Sequence, residues 1–255
     1  MTKRLAIFLY GVASYAIFFL TFLYAIGFVG NLAVPVTMDG EPALSFWQAL
    51  AVNLGLLSLF AVQHSVMARP AFKRRWTRIV PEAAERSTYV LLSSVCLIVL
   101  FALWQPLGGV VWSVQDPVGR MALYALFALG WGLVLVSTLL INHFDLFGLR
   151  QVWLQLVGKP YTQLKFSTPV FYRYVRHPLY VGWFFAFWAT PQMTFTHLVF
   201  ALVTTAYILV AVRLEERDLV AAHPEYEEYR RRVPMLIPSF RRATTSRGRP
   251  LAPAK

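Results

Sequence analysis

Two short polar stretches carry residue types that could do chemistry. They are Tyr174-Val175-Arg176-His177-Pro178-Leu179-Tyr180-Val181-Gly182 and Leu214-Glu215-Glu216-Arg217-Asp218-Leu219. His177-Pro178 reads as the opening of a helix, because the N–H that proline lacks would have no partner in a first turn anyway. A helix start offers free backbone N–H groups and the positive end of the dipole, which suit a carboxylate. Gly182 has no side chain and so permits close backbone approach. Glu215 and Glu216 are acceptors for hydroxyls or cations, although Arg213 and Arg217 beside them also fit a solvated, salt-bridged helix end. Between the two stretches lies an apolar run, residues 183–212. Polar residues at both ends of one apolar excursion imply that it doubles back and brings its ends together.

The elements that must position these residues are membrane helices. The chain is 58% hydrophobic and 14% charged, with a mean hydropathy of +0.54. A soluble domain carries roughly 25% charged residues. Polar residues here sit in islands between long apolar runs, the pattern of an integral membrane protein. The net charge of +12 would raise nucleic acid as a partner in a soluble protein. The basic residues cluster just beyond apolar runs and no nucleic-acid motif accompanies them, so they read as topology anchors meeting anionic headgroups. The single cysteine, Cys96, lies inside an apolar run and can make neither an internal disulfide nor a four-ligand zinc site.

Lys3-Arg4 precede the first apolar run, residues 5–36, and belong on the cytoplasmic side. That run is long enough to cross a bilayer and far exceeds the roughly 7–15 residues of a signal-peptide core. Met38-Asp39-Gly40-Glu41-Pro42 makes a short outside loop, and span two covers residues 46–67. The most basic island follows, with Arg69, Lys73, Arg74, Arg75, Arg78 and Arg86. Span three covers residues 89–112, an outside loop 113–119, and span four 121–141. Residues 142–180 and the tail from Arg213 are both basic, hence on one side, so the apolar region between them makes an even number of crossings. Thr190-Pro191-Gln192 breaks it into two short helices, 179–189 and 195–212. The expected fold is an all-α polytopic integral membrane protein with four transmembrane helices plus a C-terminal helical hairpin; five spans is the alternative. Residues 243–255 hold too little apolar surface to fold.

The string Arg-His-Pro-x-Tyr-x-Gly, the Glu-Glu pair, Tyr226, Tyr229 and Val233-Pro234-x-x-x-Pro238 together resemble the C-terminal half of the isoprenylcysteine carboxyl methyltransferase and phospholipid methyltransferase superfamily. The resemblance covers roughly residues 171–240. It implies a membrane enzyme using S-adenosyl-L-methionine, held by Arg176, His177, Pro178, Tyr180, Gly182, Glu215, Glu216, Tyr226 and Tyr229, and yielding S-adenosyl-L-homocysteine. Over nearly the whole length the chain is also similar to the nurim-like family and its bacterial thiol-methylating members; Asn142-His143-Phe144-Asp145-Leu146-Phe147-Gly148-Leu149-Arg150-Gln151 is the most distinctive piece. That likeness implies a small thiol acceptor, methanethiol, giving dimethyl sulfide. Residues 1–142 would then form the acceptor side and 143–242 the cofactor-binding region.

Polar clusters at the cytoplasmic ends of spans two, three and four supply the acceptor chemistry. A thiol reacts as its thiolate, whereas the neutral form predominates near neutral pH. His143, with Asp145 nearby, is the first choice of proton acceptor and His64 the second; Arg86 or Arg150 would stabilise the anion. His197 and His223 are given no role. Methyl transfer needs no metal, and the histidines show no metal-ligand spacing. A transporter would carry charges at mid-span in several helices, which spans one, three and four lack. A structural membrane protein gives no reason for both polar stretches, and haem would need histidines paired on facing spans. The partners implied are the thiol and membrane lipids, with no nucleic acid and no evident obligatory protein partner. The multi-pass chain is expected in a bacterial inner membrane, with its N-terminus, active site and C-terminus cytoplasmic. Residues 152–171 are either a lid over the cofactor or a linker.

Overall fold

The computed structural model describes residues 1–238, so the expected tail at 243–255 lies outside the described residues, as does the end of the motif region. Among the described residues five helices are long and apolar enough to cross a membrane: α1 (Thr2–Gly30), α2 (Phe46–Ala68), α4 (Glu82–Leu103), α5 (Pro117–Ile141) and α9 (Phe195–Ala222). Even α4, at 22 residues, rises about 33 Å, against a hydrocarbon core of about 30 Å. Short elements join them: α3 (Pro70–Trp76), β1 (Val110–Ser113), α6 (His143–Leu146), α7 (Leu149–Leu156), α8 (Pro178–Trp188), β2 (Gln192–Thr194) and α10 (Glu225–Arg232).

Each long helix stops for a local reason. α1 ends at Gly30, six residues before the expected limit at 36, where its cap Asn31, at φ 53°, turns the chain left-handed. Asp116 caps α5 through Gly119 N–H at 2.7 Å, with Pro117 in the first turn. The third span is shifted from its expected place at 89–112. It begins at Glu82, so Arg86 and Tyr89 are helical, and it stops at Leu103 ahead of Pro106 and of Gly108 and Gly109 at φ 71° and 65°. Val110–Ser113 then runs extended and pairs antiparallel with Gln192–Thr194, in the register Val110↔Thr194, Trp112↔Met193 and Ser113↔Gln192.

This strand pair fixes the hairpin. Pro191 does interrupt the last apolar region, but the two arms are unequal. α8 has 11 residues and rises only about 16 Å, whereas α9 has 28 and runs on past both glutamates. Of the two short helices expected, the first stands as α8, a half-length helix packed along α5, whereas the second runs ten residues further as α9, a fifth full-length span as in the five-span alternative. That packing uses glycine on both sides. A Cβ on Gly182 would lie 2.8 Å from the Gly130 carbonyl oxygen, and one on Gly130 would lie 2.5 Å from Ala186 N. His197 also acquires a role. It is buried in the first turn of α9 and its Nε2 lies 2.8 Å from the Phe187 carbonyl, holding the end of α8.

The core fills the half of the bundle near the strands, with Phe28, Leu100, Phe101, Trp104, Trp131, Phe187 and Phe200 buried against one another. Leu20, Val62, Leu129, Leu139 and Leu202 point outward, as lipid-facing positions must. Cys96 is half-buried in α4. At the opposite, basic end two smaller clusters, around Ile7, Ala84 and Val152 and around Met67, Tyr89 and Val90, sit beside polar side chains at the helix termini.

Candidate active site

Glu216 is the hub of the first polar cluster at the basic end. Its Oε1 accepts from Arg176 Nε at 2.6 Å, from His177 Nε2 at 2.9 Å and from the Tyr226 hydroxyl at 3.3 Å. His177 and Tyr226 are buried, and the Arg176 and Glu216 side chains are each only 10% exposed. Burial and the Glu216 carboxylate push the Tyr226 hydroxyl well above its ordinary pKa, so it stays a donor. The chain after α10 closes the cluster. Arg176 donates through Nη1 to the carbonyls of Arg230 and Val233, its backbone N–H reaches Pro234 O at 2.9 Å, and His177 N–H reaches Met235 O at 3.2 Å. Pro178 occupies the first helical turn of α8, as expected. The Tyr180 and Val181 N–H groups, however, already donate to the His177 carbonyl, so much of the expected anion-binding capacity of that helix start is spent.

Glu215 behaves differently. Successive α-helical residues turn by about 100°, so relative to Tyr207 on α9, Asp218 lies within about 20°, Glu215 about 80° away and Glu216 on the opposite side. Glu215 therefore stands between the Glu216 cluster and the face of α9 turned to α2. One oxygen takes the Tyr180 hydroxyl at 2.7 Å, and no described residue hydrogen-bonds the other. Tyr229 donates to Tyr172 O at 2.5 Å, and burial raises its own hydroxyl pKa to about 12. The Tyr226 and Tyr229 rings face Phe166, with centroids 5.7 and 5.5 Å away. Residues 159–169, left open between lid and linker, thus lay an aromatic side chain against this cluster.

A second cluster joins α2, α4 and α9. His64 stacks on Phe60 with centroids 5.1 Å apart, its Nδ1 is 3.2 Å from Ser93 Oγ and its Nε2 is 2.9 Å from the Tyr89 hydroxyl. The Arg86 guanidinium lies over the Tyr89 ring at 5.2 Å and donates to Leu146 O. Ser65 and Tyr207 hydroxyls meet at 3.2 Å, and Arg69 pairs with Asp218 at 2.9 Å. This cluster thus includes α9, which lies beyond the 1–142 boundary expected for an acceptor side.

The third cluster departs from expectation. His143 is buried, but Tyr15 OH sits 2.8 Å from Nε2 and Thr138 Oγ1 2.8 Å from Nδ1, so both ring nitrogens are occupied. Asp145 does not orient it; one carboxylate oxygen binds Arg150 at 2.8 Å and the other takes Tyr161 OH at 3.3 Å. Arg150 also holds Thr162, so it is spent on bracing the 159–169 segment rather than exposed to a substrate. The distinctive Asn-His-x-Asp string is a joint. His143 fastens α6 to α1 and α5, and Gly148, at φ 88°, lets the next turn sit against Ser87, which a Cβ would strike at 2.6 Å. The structure therefore does not bring the His143 and Asp145 side chains together as a hydrogen-bonded pair. Tyr207, Ser93, Tyr15 and Phe166 were not singled out from sequence. For Tyr207 the signal was its helical alignment with Asp218.

The family model of the isoprenylcysteine carboxyl methyltransferase (ICMT) family matches residues 132–222, which contain both Arg176–Gly182 and the glutamates. A methanethiol S-methyltransferase of Crocosphaera subtropica is 60% identical over 92% of this chain and 93% of its own length. One of Mycobacterium tuberculosis is 57% identical over 92% and 97%. Nurim of Xenopus laevis is 28% identical over 75% of this chain and 73% of its own. No solved structure matches the chain. With such identity over nearly full length, five membrane-spanning helices and the ICMT region intact, the chain belongs to the methanethiol S-methyltransferase family of membrane methyltransferases, the relatives of nurim.

Proposed function

We propose that this methyltransferase transfers a methyl group from S-adenosyl-L-methionine to a small thiol, with methanethiol as acceptor and dimethyl sulfide as product. The observation that carries the reading is the position of Glu215, with an unused carboxylate oxygen, between the Glu216 cluster and the His64 cluster. The donor set fits the cofactor: carboxylate acceptors at Glu215 for hydroxyls or an ammonium, and the Phe166, Tyr226 and Tyr229 ring faces for adenine. Arg176 and His177, held by Glu216, shape this side together with Pro178 and Tyr180, while Gly182 seats α8 on α5. When bound, the cofactor supplies a methyl group already activated on a sulfonium.

The protein's own task is then placement and proton removal. Orientation of two reactants is worth several kcal/mol, up to roughly 7–11 in ideal cases. His64 is the proton acceptor by position: it belongs to the cluster that borders Glu215, its nitrogens meeting the Ser93 and Tyr89 hydroxyls, whereas His143, held by Tyr15 and Thr138, lies in a separate joint. A neutral imidazole takes the S–H proton and passes it to solvent. The thiol sulfur keeps that bonding pair and forms the new S–C bond as the methyl's bond to the sulfonium sulfur breaks, its electron pair staying on the departing S-adenosyl-L-homocysteine. Arg86 lies one side chain away and favours the thiolate. The basic end is cytoplasmic by the positive-inside rule, in a bacterial inner membrane.

The test is methyl transfer by the purified protein in detergent with S-adenosyl-L-methionine and methanethiol, read as headspace dimethyl sulfide, with a prenylated cysteine in parallel. Dimethyl sulfide that requires both substrates is the expected result. Turnover of the prenylated cysteine alone would leave a methyltransferase with a different acceptor. No transfer to either, and no cofactor binding, would sink the proposal.

A further inference from the structure

The polar side chains between α2 and α9 lie where a membrane protein can least accommodate idle ones. Ser65, His64 and Tyr207 belong to membrane-spanning helices, yet each is only half-buried, between lipid-facing Val62, Val66 and Val210. Polar groups at membrane depth are costly and face partners or a functional space. Their partners are mostly one another: Ser65 with Tyr207, and His64 with Tyr89 and Ser93. Their rings pack against one another as a four-membered aromatic box. Phe60 stacks on His64, Tyr89 lies 5.1 Å from His64 on the α4 side, and Tyr207 meets Phe60 edge-on at 6.4 Å from α9.

The seam beside this box is lightly closed. α2 packs along α4, whereas side-chain links bridge it to α9. The Arg69–Asp218 ion pair lies at the basic end, with both side chains about a third exposed. The Ser65–Tyr207 contact, 3.2 Å long, lies about one turn deeper on α2. A neutral hydroxyl pair of this kind contributes only about 0.5–1.5 kcal/mol. It can yield to a small molecule, but the Tyr207 ring still occupies the gap.

We propose that the Phe60–His64–Tyr89–Tyr207 box is the acceptor site, entered through the α2–α9 seam, and that the Tyr207 ring limits it to short-chain neutral thiols. The inference rests on the thiol methyltransferase reading above and names what sets its acceptor class. Aromatic faces suit an alkyl sulfur compound, since sulfur–ring contacts contribute about 0.3–1.5 kcal/mol. The hydroxyls and the imidazole supply hydrogen-bond partners for the S–H group. A one-carbon chain fits behind Tyr207, whereas a longer one must displace the ring or hold the seam open. Tyr207 and Asp218 share one face of a rigid helix that also carries Glu215, so the filter and the cofactor-holding carboxylate are fixed relative to each other.

The experiment compares kcat/KM for methanethiol, 1-propanethiol and 1-hexanethiol in the full-length wild type, Tyr207→Ala, Tyr207→Phe and Phe60→Ala. Wild-type efficiency should fall steeply with chain length. Tyr207→Ala should raise the hexanethiol-to-methanethiol ratio at least tenfold, whereas Tyr207→Phe, which keeps the ring, should hold the wild-type ratio within about threefold. An active Tyr207→Ala with an unmoved ratio overturns the filter, and so does an equal change in Tyr207→Phe. Should Tyr207→Ala fail to fold, Tyr207→Leu and Phe60→Ala carry the same comparison, with an unmoved ratio again counting against it. A wild type that binds the cofactor but methylates no thiol removes the underlying reading as well; one active on methanethiol with unmoved variant ratios removes the filter alone.

Discussion

Two neighbouring clusters at the basic end are built on opposite terms. Around Glu216, a single carboxylate oxygen collects a guanidinium, an imidazole and a phenol, and the backbone carbonyls after α10 take up more of Arg176. Around His64, contacts are hydroxyl to imidazole or hydroxyl to hydroxyl, at 2.9–3.2 Å, between half-buried His64, Ser65 and Tyr207 and buried Tyr89 and Ser93. The first arrangement is costly to open, because separating its members strands buried charge. The second exchanges partners cheaply. A site that must hold a charged cofactor and admit a small neutral acceptor needs both, and α9 carries the seam between them in two adjacent residues.

Changing the adjacent carboxylates one at a time breaks this contrast most sharply. Glu216→Ala leaves Arg176 buried without its carboxylate, and removal of one partner from a buried pair costs about 3–5 kcal/mol. The expected outcome is a large drop in thermal stability in detergent, seen as early aggregation by size exclusion. A Glu216→Ala protein as stable as wild type would show that the cluster is not the fastener described above. His64→Ala should leave stability nearly intact and cut the rate roughly a hundredfold near neutral pH, the lower end of what general-base catalysis contributes. The loss should shrink as pH rises, because solution then supplies thiolate directly. A loss of equal size at every pH would give His64 a positioning role instead. Glu215→Ala should fold normally and weaken cofactor binding roughly tenfold, the scale of one hydrogen bond to a charged group. Unchanged affinity by calorimetry would remove Glu215 from the cofactor site.

Much of the fold was legible because membrane constraints are coarse. Apolar runs and basic islands placed the helices, and the polar ends of residues 183–212 correctly implied a chain that doubles back. The boundaries were less legible where turn chemistry competes with hydropathy. Val110-Val111-Trp112 is as apolar as a span, yet Pro106, Gly108 and Gly109 had already ended the helix, and the strand found its partner in residues far along the chain. In the site, the Arg-His-Pro string and the glutamates were found together because their spacing is local to one hairpin. The partners of His143 were not legible, because a histidine two residues from an aspartate looks like a dyad, whereas the α6 turn sends the two side chains to different neighbours. Tyr207 escaped notice as one aromatic in an apolar run. Only its stripe along α9 marks it.

The smallest effect expected tests the reading of His143 as a joint. Burial lowers the pKa of His143, since its imidazole sits among Tyr15, Phe144 and Phe147. The folded state therefore binds a proton less readily than the unfolded chain, whose histidine titrates near its ordinary value of about 6.5. The contribution to stability is full above that value and is lost as pH falls through the lower folded pKa. His143→Gln should flatten this acid-side loss in melting experiments while leaving the shape of the pH–rate profile that of wild type. Tyr15→Phe removes only the hydroxyl 2.8 Å from Nε2 and should cost about 1 kcal/mol of stability with no change in kcat. A catalytic His143 would behave otherwise, because loss of its Tyr15 partner would alter imidazole basicity and move the acid limb of the rate profile. If Tyr15→Phe shifts that limb, the proton acceptor belongs at His143 and the contrast between a fastening joint and a working box must be redrawn.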